Sequence, residues 1–137
     1  MALSRIFDIS GSGMNAQALR LNVTASNLAN AGNVAGSADA VYRARVPVFA
    51  AHHADALQAG NGTAVRVTAI EESDAPVRAL YQPDHPDADA DGNVFATNVN
   101  AVEEMVNMLS ASRAYQSNIE VMKTSKELLL QTLSLGN

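Results

Sequence analysis

NAVEEMVNMLSASRAYQSNIEVMKTSKELLLQTLSLGN, residues 100–137, carries the strongest periodicity in the chain. Ala101, Met105, Met108, Ser112, Tyr115, Ile119, Met122, Lys126, Leu129 and Leu133 follow an unbroken 4-3 spacing, which gathers them on one stripe of an α-helix. Only Ser112 and Lys126 break its apolar character. Asn100 followed by Glu103 predicts an N-cap and an acidic first turn. Glu103 and Glu104 suit the positive end of the helix dipole, and Lys123 and Lys126 lie toward the negative end. Gly136 closes the pattern. A helix from Ala101 to about Ser134 spans on the order of 50 Å, more than a domain of this size needs. Val102, Val106, Leu109, Val121, Leu128, Leu130 and Leu135 lie off the stripe. That apolar surface is broader than one partner helix covers, so more neighbours are expected. Met105, Met108 and Met122 add adaptable packing surface.

A second stripe lies at the other end: Phe7, Gly11, Met14, Ala18, Leu21, Ala25 and Leu28. Gly11 and Gly13 each cost about 1 kcal/mol relative to Ala inside a helix. Either the helix starts near Leu3 and tolerates them, or Ser10 or Ser12 caps a later start. The longer helix is expected, stopping near Asn30–Gly32, where Asn and Gly suit a C-terminal cap.

Composition sets the rest. The 137 residues make room for one ordinary domain. Of 65 apolar residues 25 are alanine, so the core must be modest. Residues 1–30 and 99–137 hold 25 of the 40 larger apolar side chains, while all four prolines fall between them. Proline confined to the middle marks the two ends as the helical parts. Val46 and Val48, and Val65 and Val67, alternate as in half-buried strands. Gly60-Asn61-Gly62 and Asp91-Gly92 are turn signals, with Val94 and Phe95 after the second. The alanine-rich stretch 50–59 reads as helix or loop. The expected fold class is α+β: two long terminal helices packing antiparallel as a coiled-coil layer, with a small β-containing middle. The segments are 1–31, 32–97 and 98–137.

A net charge of −5 and scattered basic residues argue against a nucleic-acid partner. The absence of cysteine excludes disulfides and thiolate chemistry. No apolar run is long enough for a membrane-spanning helix, and the first residues do not read as a cleaved signal peptide. Asp87, Asp89, Asp91 and Gly92 imitate the first half of a calcium loop, and Val94 fits. The bidentate glutamate position is Asn98, and Pro83 and Pro86 replace the incoming helix. An acidic surface turn is the better reading. His52 and His53 would point to opposite faces of a strand, and His85 stands apart. Gly11-Ser12-Gly13 lacks the strand–turn–helix setting of a nucleophile, and Glu71-Glu72-Ser73-Asp74 reads as a solvated acidic face. No enzymatic activity, cofactor, metal or small-molecule substrate is expected.

Six stretches go further. Ala25-Ser26-Asn27-Leu28-Ala29-Asn30-Ala31 resembles the Asn-rich N-terminal signature of bacterial flagellar axial proteins (rod, hook and relatives). Asn98-Val99-Asn100, Glu104-Met105-Val106-Asn107 and Ala111-Ser112-Arg113-Ala114-Tyr115-Gln116-Ser117-Asn118 resemble the matching C-terminal signature. The opening Leu3-Ser4-Arg5-Ile6-Phe7-Asp8-Ile9-Ser10-Gly11-Ser12 and Tyr42-Arg43-Ala44-Arg45 are similar to the proximal-rod members. The resemblance implies a structural subunit of the basal-body rod, exported without a cleaved signal peptide through the flagellum's own channel. Such subunits self-assemble across the periplasm into a torque-transmitting shaft around that channel. It implies three kinds of partner: other rod proteins, the adaptor at the rod base, and the membrane ring beneath.

Asn27, Asn30, Glu104, Met105, Val106, Arg113, Tyr115 and Asn118 match the signatures. Met14, Leu21, Leu28, Met108, Ile119, Met122, Leu129 and Leu133 are the expected interface positions from the stripes. Asn side chains would lock register between chains, and Arg113 would pair a neighbour's carboxylate. Asn93 and Thr97 depart from the pattern, where relatives carry an aromatic and a proline. The alternative is a coiled-coil adaptor that binds partner helices without polymerising.

Overall fold

The computed structural model describes residues 2–52 and 62–135. His53, the Gly60-Asn61 part of the turn, most of the alanine-rich stretch and Gly136 lie outside the described residues. In chain order the elements are α1 (Ala2–Ala29), β1 (Val34–Ala35), β2 (Arg45–His52), β3 (Ala64–Glu72), β4 (Arg78–Tyr81), β5 (Asn93–Ala96) and α2 (Ala101–Leu135). The fold is α+β, with two long helices from the ends and small antiparallel sheets from the middle.

α1 takes the longer of the two predicted forms and runs through both glycines. Gly13 has a packing reason: a Cβ there would lie 3.0 Å from Asn118 Nδ2, so the glycine lets α2 close in. A Cβ at Gly11 would meet nothing within 4 Å. Asn100 caps α2 as expected, its Oδ1 accepting the amides of Val102 (3.1 Å) and Glu103 (3.4 Å). Gly13 beside Asn118, and the Arg20 Nη2 hydrogen bond to Asn107 Oδ1 (3.1 Å), make the helices antiparallel. On that register α1 runs out near Leu129, so the last turns of the 35-residue α2 extend past it.

β2 and β3 form a two-stranded hairpin, from Arg45 opposite Glu72 to His52 opposite Ala64, with an irregularity between Val48 and Phe49. It lies against α1. β5 is the middle strand of the other sheet, flanked by β1 and β4. Val94 and Ala96 of β5 are buried, together with Val41 and Val99. The core is thin, as alanine-rich composition dictates: the largest fully buried side chains are Val94 and Asn27. A chain with so little buried apolar area has little margin of its own.

Candidate assembly surface

The face that α2 turns to α1 overlaps the stripe that the apolar spacing selects: Ala101, Met108, Ser112, Tyr115, Ile119, Met122 and Leu129 are half-buried, and Met105, Lys126 and Leu133 are exposed. The less exposed positions also include Glu104, Asn107, Ala111, Ala114, Asn118 and Ser125, which widen that face on one side of the stripe. Ala111 is fully buried and Ser125 is 6% exposed, whereas Met105 is 57% and Leu133 61% exposed and Lys126 is exposed. Met105 and Leu133 therefore do not belong to the seam within the chain. Ala111 and Ser125 are small and buried, and Gly13 lies against Asn118, which lets the helices approach closely there. Leu133 lies past the end of α1.

The bulkier apolar residues are left outside. Val102, Met105, Val106 and Leu109 are between 55% and 70% exposed, and at 100° per residue they cluster on the side of α2 turned away from α1. Val121, Leu128, Leu130, Leu133 and Leu135 are exposed farther along. Contiguous apolar surface of this kind on a monomer marks an interaction site.

The remaining expected residues fall into two groups. Met14, Leu21 and Leu28 of α1, and Met108, Tyr115, Ile119, Met122 and Leu129 of α2, are half-buried. Glu104 is half-buried too, on a cavity of about 350 Å³ that it lines with Arg20, Arg45 and Phe49. Val106 and Arg113 are exposed, and no carboxylate among the described residues pairs with Arg113.

The asparagines turn inward. Asn118 Nδ2 donates to the Ala114 carbonyl (2.9 Å) and Asn30 Nδ2 to the Ser26 carbonyl (2.8 Å). Asn27, 1% exposed, is occupied by Tyr42 and Arg45 of its own chain. Its lock acts inside the subunit, because a side chain so buried is closed to a neighbour. The polar network of Asn27 and Asn98 was hidden from sequence reading, since its partners, the Tyr42 hydroxyl and backbone atoms of Ala44, Arg45, Ser73 and Ala75, are distant in sequence.

The other motifs are local structure. Asp89 Oδ1 accepts the amides of Asp91 (2.9 Å) and Asn93 (2.8 Å), so its carboxylate shapes the turn before β5. Gly92 takes φ +77°, which that turn requires. His85 Nδ1 lies 3.8 Å from Asp87, and His52 is exposed. No group of three metal-ligating side chains exists among the described residues. Ser12 Oγ donates to the Ile9 carbonyl (2.8 Å) and accepts the Val65 amide (3.1 Å), which is a tie between α1 and the hairpin.

The fold is thus two long terminal helices around a small β middle, with apolar surface left outward on α2, the arrangement of an interaction protein. The family model described as flagella basal body rod protein matches residues 7–37, and that of the flagellar basal body rod FlgEFG protein C-terminal matches residues 90–135. The curated flagellar basal-body rod protein FlgC of Salmonella typhimurium is 51% identical over 136 residues, covering 99% of each chain. That of Escherichia coli O157:H7 is 50% identical with the same coverage, and that of Borreliella burgdorferi is 36% identical over 98% of each. The chain belongs to the FlgC family of flagellar basal-body rod proteins. It is a structural subunit of the flagellar basal body that assembles with other rod components, and not an enzyme.

Proposed function

We propose that the chain is a proximal-rod subunit whose outward α2 face is the surface that neighbouring rod chains cover. One observation carries this reading: Val102, Met105, Val106 and Leu109 stand exposed on the opposite side of α2 from α1. Burying them in contact with other helices supplies apolar burial that the thin core lacks. The terminal segments 1–31 and 98–137 form the inner helical layer around the export channel, and 32–97 the outer layer. Arg113 pairs a carboxylate of an adjoining chain. Packed in this way, many copies and related rod chains transmit torque across the periplasm. The adaptor at the rod base and the membrane ring beneath are the neighbours on one side.

The chain has no cysteine, so Met105→Cys introduces a unique thiol. It should react readily with a maleimide in the purified chain and be shielded in isolated basal bodies. Equal labelling in both would remove this face from the assembly. A chain that stays monomeric at every concentration and is missing from basal bodies would instead favour an adaptor.

A further inference from the structure

Asn27 and Asn98 come from opposite ends of the chain and hold adjacent residues. Asn27, near the end of α1, accepts the Arg45 amide with Oδ1 (2.9 Å) and donates Nδ2 to the Arg45 carbonyl (2.8 Å). It thus pairs with Arg45 much as a neighbouring strand would. The Tyr42 hydroxyl donates a further bond to the same Oδ1 (2.9 Å). Asn98, just ahead of α2, accepts the Ala44 amide (2.7 Å) and donates to the carbonyls of Ser73 (3.2 Å) and Ala75 (2.9 Å). The Ser73 amide returns to the Ala44 carbonyl at 2.7 Å.

The root of the β2–β3 hairpin is therefore gripped at Arg45 by the end of α1 and at Ala44, Ser73 and Ala75 by the approach to α2. Farther out, α1 holds the hairpin by one more tie, the Val65 amide donating to Ser12 Oγ (3.1 Å). Beside that tie lies a cavity of about 430 Å³ lined by Ala16 and Leu19 among others, and the 350 Å³ cavity lies beside β2.

We infer that this double clasp is a positioning device that couples placement of the hairpin to pairing of α1 with α2. Each asparagine supplies half of the grip. The two halves meet at Ala44-Arg45 only when both terminal segments are docked. A subunit with separated helices keeps the hairpin's ties to α1 at Asn27 and Ser12 but loses the Asn98 half of the grip, and a subunit with paired helices presents the hairpin in one orientation. The consequence for the outer layer of the rod rests on the proposed function above. The coupling itself is a property of the isolated chain and is tested there.

The substitutions Asn27→Asp and Asn98→Asp keep shape and the accepting oxygen, and they replace the donating N–H by an oxygen that faces carbonyls. Hydrogen exchange of the purified full-length chain, read by peptide, should show residues 44–52 and 64–73 exchanging about tenfold faster in either variant. The α1 and α2 peptides should lose less protection than the hairpin peptides, since the coupling is reciprocal and bounded by the lost grip. The double variant should be no worse than either single one, since the grip needs both halves. Ala111→Glu, which wedges the helices apart without touching the hairpin, should release the hairpin as well. Uniform loss of protection in the Asn variants would reduce the two residues to ordinary core polar groups and overturn the inference. So would an unchanged hairpin, additive effects in the double variant, or a hairpin that stays protected in Ala111→Glu.

Discussion

Gly11 and Gly13 stand two residues apart in one helix and respond oppositely to a methyl group. At Gly11 a Cβ meets nothing within 4 Å, so Gly11→Ala keeps its full backbone gain of about 1 kcal/mol. At Gly13 the methyl would lie 3.0–3.2 Å from the Asn118 carboxamide, which is tethered to the Ala114 carbonyl and yields poorly. Gly13→Ala should therefore gain nothing or lose stability. Thermal melts of the two variants followed by circular dichroism should move in different directions, and equal upward shifts would refute the packing role of Gly13. The glycines were visible in the sequence only as a cost to the helix. Asn27 was visible through its resemblance to a signature, but Arg45 is 18 residues away through irregular backbone. No local pattern encodes such a partner.

At the scale of elements, what is encoded locally was legible and what is encoded by partners was not. Asn100 and the two glutamates after it marked the start of α2, and the cap is present. Asn100→Ala should cost about 1 kcal/mol, seen as faster amide exchange at Val102 and Glu103 with the middle of α2 unchanged. An unaffected first turn would mean that packing alone holds the helix end. The 4-3 count located most of the face that α2 turns to α1, with Met108, Tyr115, Ile119, Met122 and Leu129 half-buried, but it did not single out the small buried pair Ala111 and Ser125 beside the stripe, nor the exposure of Met105. β4 was illegible for another reason. Arg78, Ala79, Leu80 and Tyr81 are all exposed, with no alternation to read, and they form a strand because β5 offers a free edge.

For the whole molecule, the distinction between fold and assembly becomes testable. Met105→Asp places a charge on a residue already more than half exposed, so the purified chain should melt within about 0.5 kcal/mol of wild type. In cells the same charge must be desolvated against a neighbour, and the strain should be non-motile with no complete rod. Leu129→Asp should also block motility, but at half-buried Leu129 it should destabilise the free chain too. A motile Met105→Asp strain would remove the outward face from the rod.

The helices are unequal, 28 residues against 35, so α2 overhangs α1 by about 10 Å at one end. At the other end both helices return into the small β middle. A body with such different ends has polarity. The overhanging turns carry Leu130, Leu133 and Leu135, all exposed, which a neighbouring chain can cover. In the proposed rod, chains stacked in one sense would all turn the uncovered end of α2 the same way.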